Sequence, residues 1–380
     1  MKIAMLGHKR IPSREGGVEI VVEELSVKMA ERGHEVTVYN RKGKHVSLGN
    51  KENNRNAKKS YYKGVKVITV FTMEKKSLNA IVYAFFATWK AVFGHFDVIH
   101  FHAEGPCSML WLPHLLGIPT VATIHGLDWQ RAKWGGFATK FLLFGEKMAA
   151  KYADGLIVLS HNMEQYFRKQ YKRDSIYIPN GIEKPQKQEA KLITEKYGLK
   201  KDDYFLFLAR LVPEKGLHYL LEAYEALSTE KKLVIAGGSS HSDSYVEEIR
   251  QKAESIPGVV LTGFVEGREL EELYSNACLY ILPSDVEGMP LTLLEAMSYG
   301  NACLISDIAE NVEAAGGNAI SFSKGNVLEL RQRLAECLAK PDMLKQYGEK
   351  AEAFVLDKYN WENITERTLE LYDTILSKKA

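Results

Sequence analysis

Residues 2–40 read KIAMLGHKRIPSREGGVEIVVEELSVKMAERGHEVTVYN. KIAMLGH predicts a strand. A glycine-containing loop follows, and then a helix from about Gly17 to Arg32. Val18, Val21, Leu25 and Met29 line one face of that helix at helical spacing, and Gly33 supplies its stop. EVTVYN is the next strand. A strand, a helix and a second strand in this order form the first unit of a parallel sheet with helices packed on its faces. The same alternation continues through DVIHFHAEG (97–105), TVATIHG (120–126), GLIVLS (155–160) and SIYIPNG (175–181). Runs such as VIHF and LIVL are apolar almost throughout, as strands buried on both faces should be.

The pattern breaks at EKPQKQEA (183–190), which is polar, carries a proline and has no apolar period, so a linker is expected there. It restarts with YFLFLAR (204–210), KLVIAGG (232–238), VVLTGF (259–264), CLYILPS (278–284), ACLISD (302–307) and AISF (319–322). The expectation is an α/β protein of two doubly wound, Rossmann-like domains, residues 1–182 and 183–360. The closing segment from about Trp361 is amphipathic: Ile364, Thr368, Leu371 and Ile375 share a face that Tyr372 and Leu376 widen. A length of 380 residues suits two such domains, and 46% hydrophobic with 26% charged residues suits a soluble protein. No apolar run is long enough to suggest a membrane span. MKIAMLGHKR enters a strand directly, without the features of a secretory signal, so a cytoplasmic protein is expected. Cys107, Cys278, Cys303 and Cys337 are too far apart for a metal-binding pair and read as buried free thiols. The net charge of +2 hides an asymmetry: residues 1–185 hold 28 Lys and Arg against 16 Asp and Glu, a net of +12, and the remainder 22 against 32, a net of −10. No nucleic-acid partner is expected.

Ligands of open parallel sheets bind beyond the carboxyl ends of the strands, where the unusual residues of this chain fall. In EGMPLTLLEAMSYG (287–300), Pro290 suits a first helical turn, Gly300 the position after the helix, and Leu291, Leu294 and Met297 form a core stripe. A helix start with unpaired N–H groups suits a diphosphate. Glu287 precedes the helix and Glu295 lies within it. In LARLVPEKG (208–216), Arg210 and Lys215 place two cations on one short loop, able to neutralise a departing diphosphate. Gly16 and Gly17 would let backbone approach a phosphate or sugar. That loop is not a G-x-G-x-x-G fingerprint, so a nicotinamide dehydrogenase is poorly supported.

The ordered set formed by the Gly16–Gly17 loop, HGLD at 125–128, PNG at 179–181, LARLVPEKG, VIAGG, LTGFV and EGMPLTLLEAM resembles glycosyltransferase family 4, retaining enzymes of the GT-B fold and of the bacterial surface-polysaccharide type. The resemblance covers nearly the whole chain. It implies two domains facing each other across a cleft, an N-terminal one for the acceptor, joined by a returning helix at about 361–380, and a C-terminal one for a nucleotide-sugar donor. Arg210 and Lys215 would hold the donor diphosphate, Glu295 the ribose hydroxyls and Glu287 the donor sugar. Backbone from Gly288 through Met289 and Pro290 to Leu291 would lie near sugar and phosphate, with Gly237 on the donor side as well. His125 would sit beside the reacting sugar, and Gly16 and Gly17 would border the donor phosphate. Asp128 would orient a sugar or His125, or cap the next helix, and Glu104 could touch the acceptor. His100 and His102 share a strand face, but two ligands without a third do not make a metal site.

The reaction implied is transfer of a hexosyl or similar group from a nucleotide-diphosphate sugar to a saccharide or polyprenyl-linked acceptor, in capsule, exopolysaccharide or other surface-glycan synthesis. No cofactor or essential metal is expected, because the two cations and the helix start supply positive potential and the chain contains no D-x-D pair. Alternatives are a nucleotide-sugar epimerase and a non-catalytic nucleotide-sugar-binding protein of the same fold. Uracil, guanine and thymine donors all remain open. Residues 41–66 hold nine Lys and Arg against Glu52 alone, and residues 78–96 are apolar and aromatic, with Lys90 the one charge. Together they suggest peripheral docking on the anionic inner face of the cell membrane.

Overall fold

A computed structural model describes residues 1–43, 60–73, 76–130, 136–238 and 243–379. Most of the basic stretch expected to meet a membrane, including Lys44, Lys58 and Lys59, lies outside the described residues. The chain forms two compact units. The first comprises Met1–Gln130, Trp134–Gly181 and Trp361–Ala380, and the second is built on Ile182–Asn360.

The first unit contains β1 (Lys2–Leu6), α1 (Gly17–Glu31), β2 (Glu35–Arg41), β3 (Ser60–Tyr62), β4 (Val65–Val70), α2 (Lys76–Val92), β5 (Val98–His102), α3 (Glu104–Cys107), α4 (Trp111–Leu115), β6 (Thr120–Ile124), α5 (Phe137–Tyr152), β7 (Gly155–Val158), α6 (His161–Tyr171) and β8 (Ile176–Tyr177). The sheet runs β3-β4-β2-β1-β5-β6-β7-β8. All pairings are parallel except β3 with β4, a hairpin whose register sets Tyr62 opposite Val65. The sequence reading missed that hairpin. Its signal is the β-branched run VKVITV after the turn Lys63–Gly64, obscured by the density of charge before it.

The second unit contains α7 (Leu192–Tyr197), β9 (Tyr204–Leu208), α8 (Leu217–Glu225), β10 (Lys232–Ala236), α9 (Asp243–Ser255), β11 (Val259–Gly263), α10 (Arg268–Asn276), β12 (Leu279–Leu282), α11 (Leu291–Ser298), β13 (Cys303–Ser306), α12 (Ala309–Ala315), β14 (Ile320–Phe322), α13 (Val327–Ala339) and α14 (Pro341–Lys358). Its sheet is parallel throughout, in the order β11-β10-β9-β12-β13-β14. Phe205, Phe207, Leu233, Ile235, Leu279, Ile281 and Leu304 fill its core. Both sheets have a switch point, between β1 and β5 in the first and between β9 and β12 in the second, where successive crossovers leave in opposite directions and open a crevice.

The last helix, α15 (Trp361–Lys379), belongs to the first unit. Trp361, Ile364, Thr368, Leu371, Tyr372 and Ile375 are its buried face. Glu362 bridges Lys28 of α1 and Arg32 just past its end at 2.9 and 2.6 Å, and Lys379 reaches Asp154 at 2.8 Å. Gly155 makes room for the helix, since a Cβ there would meet Ile375 at 2.8 Å. The thiols are free, with Cys107, Cys303 and Cys337 buried and Cys278 partly so.

Candidate active site

In the second unit the chemistry collects where β9 and β12 end side by side. After β9 the chain makes a 3-10 turn, Pro213–Lys215, and enters α8 through Gly216, whose φ is +67°. A Cβ on Gly216 would lie 2.0 Å from the Pro283 carbonyl oxygen, so only glycine lets this loop close on the loop after β12. The Asp285 N–H donates to the Glu214 carbonyl at 2.9 Å, and the Tyr219 hydroxyl to Asp285 Oδ2 at 3.2 Å. This approach delivers Lys215 to Glu287. Lys215 Nζ donates to Glu287 Oε1 at 2.5 Å, and Ser284 Oγ donates to the same oxygen at 2.7 Å. The two charged side chains are only 12% and 7% exposed, so water screens the pair weakly.

Glu287 stands just before α11. The structure corrects the place of Pro290, which is the residue capping the helix start, with ψ 91°, rather than a member of the first turn. Its carbonyl accepts from the Leu293 and Leu294 N–H groups at 3.0 and 3.2 Å. Pro290 supplies no side-chain cap, so the positive end of the helix faces the loop Gly288–Pro290. Gly300 follows the helix with φ +80°. Glu295, within α11, accepts from the Tyr274 hydroxyl at 2.9 Å, and the Tyr274 ring stacks on Tyr299 at 5.2 Å. Burial and the Glu295 charge push the Tyr274 phenol well above its ordinary pKa, so it stays a donor. Arg210 is half-buried just beyond β9. Leu211 N–H donates to Gly238 O at 3.1 Å, and Gly237 N–H to Gly263 O at 2.8 Å, which ties the Arg210 loop to the glycines after β10. Two cations and a helix start at the ends of neighbouring strands suit an anionic ligand.

The first unit has a histidine cluster at its own switch point. Gly7, with φ +119°, ends β1 so close to β5 that a Cβ would lie 2.0 Å from the His102 carbonyl oxygen. His102 Nδ1 meets His125 Nε2 at 3.1 Å, and the His100 and His102 rings stack at 4.1 Å. His100 is bonded at both nitrogens, to the Tyr372 hydroxyl at 2.6 Å and to Thr123 Oγ1 at 2.7 Å. Burial lowers the His100 pKa to about 3, that of His8 to about 4, and that of His102 well below the usual imidazole value. These rings are neutral at pH 7. His102 therefore carries one N–H. Among the described residues no three His, Cys, Asp or Glu side chains group to hold a metal ion.

Gly16 and Gly17 enter α1 behind a pinned loop. Glu19 accepts from the Lys9 N–H at 2.9 Å, and Asn40 bonds Ile11 N–H, Ile11 O and His8 Nε2 at 3.0, 2.9 and 2.9 Å. Beyond β6, Asp128 opens a short 3-10 turn, and Trp129 Nε1 donates to the buried Glu146 at 3.0 Å. Glu146 also accepts from the Tyr166 and Tyr171 hydroxyls at 2.7 and 2.5 Å, anchoring the His125–Gln130 loop. Glu104 has no exposed surface.

Residues 15–184 match the family described as Glycosyltransferase Family 4, and residues 189–354 match Glycosyl transferases group 1. The chain belongs to glycosyltransferase family 4. This family 4 enzyme is 26% identical over 286 residues to alpha-maltose-1-phosphate synthase of Mycolicibacterium smegmatis, covering 68% of this chain and 73% of that one. It is 25% identical over 184 residues to O-antigen chain mannosyltransferase B of Escherichia coli, covering 47% and 48%. Among solved structures, Anabaena HepE in complex with UDP-glucose superposes with a TM-score of 0.80 at 17% identity, covering 98% of this chain and 100% of that one. The fold is GT-B.

Sequence reasoning about this glycosyltransferase missed Ser284, Tyr274 and the bond from His102 to His125. Ser284 had a readable signal, lying three positions before Glu287 in a loop after a strand. Tyr274 had none, because α10 shows only an ordinary amphipathic pattern and the contact with Glu295 spans 21 positions.

Proposed function

We propose that this enzyme transfers a sugar, with retention of anomeric configuration, from a nucleotide-diphosphate sugar to a saccharide or polyprenyl-linked acceptor in surface-glycan synthesis. It would work as a peripheral protein on the inner face of the cell membrane. The observation that carries the reading is the Lys215–Glu287 pair, shared with Ser284, at the start of α11. Lys215 and Arg210 neutralise the diphosphate, while Glu287 takes hydroxyls of the donor sugar and Glu295 those of the ribose. Gly237 and the backbone from Gly288 to Leu291 border the phosphates and sugar. The first unit contributes His125 to the reacting sugar, Gly16 and Gly17 to the donor phosphate, and Asp128 to the acceptor side. In the transfer, the bond from the anomeric carbon to the diphosphate oxygen breaks and the acceptor oxygen bonds that carbon on the same face. The acceptor proton passes to the departing diphosphate. Preorganised cations stabilise the developing charge, so the step needs no bound metal.

HepE was solved with UDP-glucose, which makes uridine diphosphate the first nucleotide to test, followed by the guanosine and thymidine diphosphates. A ligand at about 100 times its Kd stabilises by about 2.7 kcal/mol, a clear rise in Tm. No shift with any nucleoside diphosphate would refute the donor site. Donor turnover that needs no acceptor and yields a new nucleotide sugar would replace transfer by epimerisation.

A further inference from the structure

Helix α2 presents Phe85, Phe86 and Trp89 outward. Its buried side consists of Tyr83, Ala84, Ala87, Thr88 and Ala91, each 2% exposed or less. Its solvent side carries Phe85, Phe86 and Trp89, 44%, 39% and 48% exposed, and Phe93 just past its end is 64% exposed. A helix that merely covered a sheet would turn the aromatic rings inward and the alanines outward. The helix is locked against rolling, because the Tyr83 hydroxyl donates to the Tyr39 carbonyl at 2.7 Å and accepts from the Gly7 N–H at 3.0 Å.

The outward rings form one continuous ridge. Phe71, in the loop after β4, meets Phe86 at 5.8 Å, and Phe86 meets Phe85 at 5.3 Å. Phe85 stacks on Trp89 at 6.0 Å, and Trp89 meets Phe93 at 5.3 Å. From Phe85 to Phe93 the ridge runs eight residues along the helix direction, roughly 12 Å, and Phe71 extends it sideways. An exposed apolar patch of this extent marks an interaction surface.

Charge identifies the partner. α2 contains no acidic residue. Lys90 is exposed beside Trp89, and Lys42 is exposed next to Phe71, its N–H bonded to the Val70 carbonyl at 2.9 Å. Among the described residues of 36–96, six are Lys or Arg and none is Asp or Glu. A second copy of the chain would set these cations against one another. An anionic bilayer accepts both features, with aromatic rings at the headgroup level and lysines among the phosphates. Among the described residues no helix is long and apolar enough to cross a membrane.

We propose that the α2 ridge is a membrane-insertion surface, lying in the plane of an anionic phospholipid bilayer with Phe85, Trp89 and Phe93 in the acyl boundary. It deepens, and rests on, the reading that the acceptor is lipid-linked. Phe71 sits at the strand-end edge of the sheet, so docking along the ridge brings that edge to the lipid surface.

The test uses the full chain with vesicles of phosphatidylglycerol and phosphatidylcholine at physiological salt. The wild type is expected to sediment with them. The triple variant Phe85→Ser, Trp89→Ser, Phe93→Ser is expected to partition about tenfold more weakly or worse, with unchanged Tm and an unchanged response to nucleoside diphosphate. Lipids brominated in the acyl chain should quench wild-type fluorescence, and Trp89→Phe should lose that quenching. Equal sedimentation of wild type and triple variant, or no sedimentation of either, overturns the proposal. A lipid-free dimer that the triple variant dissociates also overturns it, in favour of a second copy. If sedimentation fails while sugar transfer to a lipid-linked acceptor in detergent persists, the docking surface falls and the function stands. If sedimentation holds while no acceptor supports transfer, the surface stands and the acceptor class falls.

Discussion

Lys215 and Glu287 depend on each other. Lys215→Ala would leave the Glu287 carboxylate, 7% exposed, with Ser284 but without its cation. Breaking a buried pair from one side costs about 3–5 kcal/mol, and loss of one preorganised donor costs about 100-fold or more in turnover. The expected outcome is a variant both slower and less stable. Adding Glu287→Gln should recover part of the stability in a denaturant melt and none of the turnover. The pair is structural only if Lys215→Ala keeps near wild-type turnover. The two glutamates should separate in calorimetry with the nucleoside diphosphate. On the proposed division of roles, with the Tyr274-oriented carboxylate of Glu295 at the ribose, Glu295→Gln should weaken binding, while Glu287→Gln should leave binding nearly intact and impair transfer. Equal weakening would mean that the roles are assigned wrongly.

Helix α15 holds the first unit by a polar contact as well as by its apolar face. The Tyr372 hydroxyl is hydrogen-bonded to His100, whose other nitrogen meets Thr123 on β6, so one hydroxyl links the last helix to two central strands. Tyr372→Phe keeps the packing and leaves a buried imidazole nitrogen without its partner, which costs about 1–3 kcal/mol. A urea melt should record that loss, and an unchanged midpoint would show that the bond contributes nothing. The apolar face of α15 was legible in the sequence, because 3.6-residue spacing is a local property. Its hydroxyl contact was not, since residues 272 positions apart meet only when the chain returns.

The protein as a whole should be acid-labile through its buried histidines. His8, His100 and His102 are neutral in the fold, with pKa lowered to about 4, to about 3 and well below the usual value. Unfolded, each takes up a proton below about pH 6.5. In that window the unfolded state binds more protons, so stability falls as pH drops from 6.5 toward 4 for His8 and toward 3 for His100. The full slope is about 1.4 kcal/mol per pH unit for each histidine. Melting curves between pH 7.5 and 4.5 should show Tm falling below pH 6.5, less steeply in His8→Asn. A flat profile would mean that these rings are not held neutral.

Strand, helix and turn were determined by the sequence alone, because apolar period, glycine and proline act within a few positions. That range sufficed for the two parallel sheets, for α1, α11 and α15, and for the strand-end location of Arg210, Lys215, His125 and Glu287. The β3–β4 hairpin could have been read but was hidden by charge. Tertiary structure alone decided which side chains meet. Lys215 finds Glu287 across 72 positions because β9 and β12 are neighbours, and His102 finds His125 because β5 and β6 are. The composition of α2 was plain in the sequence, but its orientation was not. Which face a helix buries is set by the surface it lies on, and here Tyr83 and the alanines took the sheet and left the aromatic rings outside.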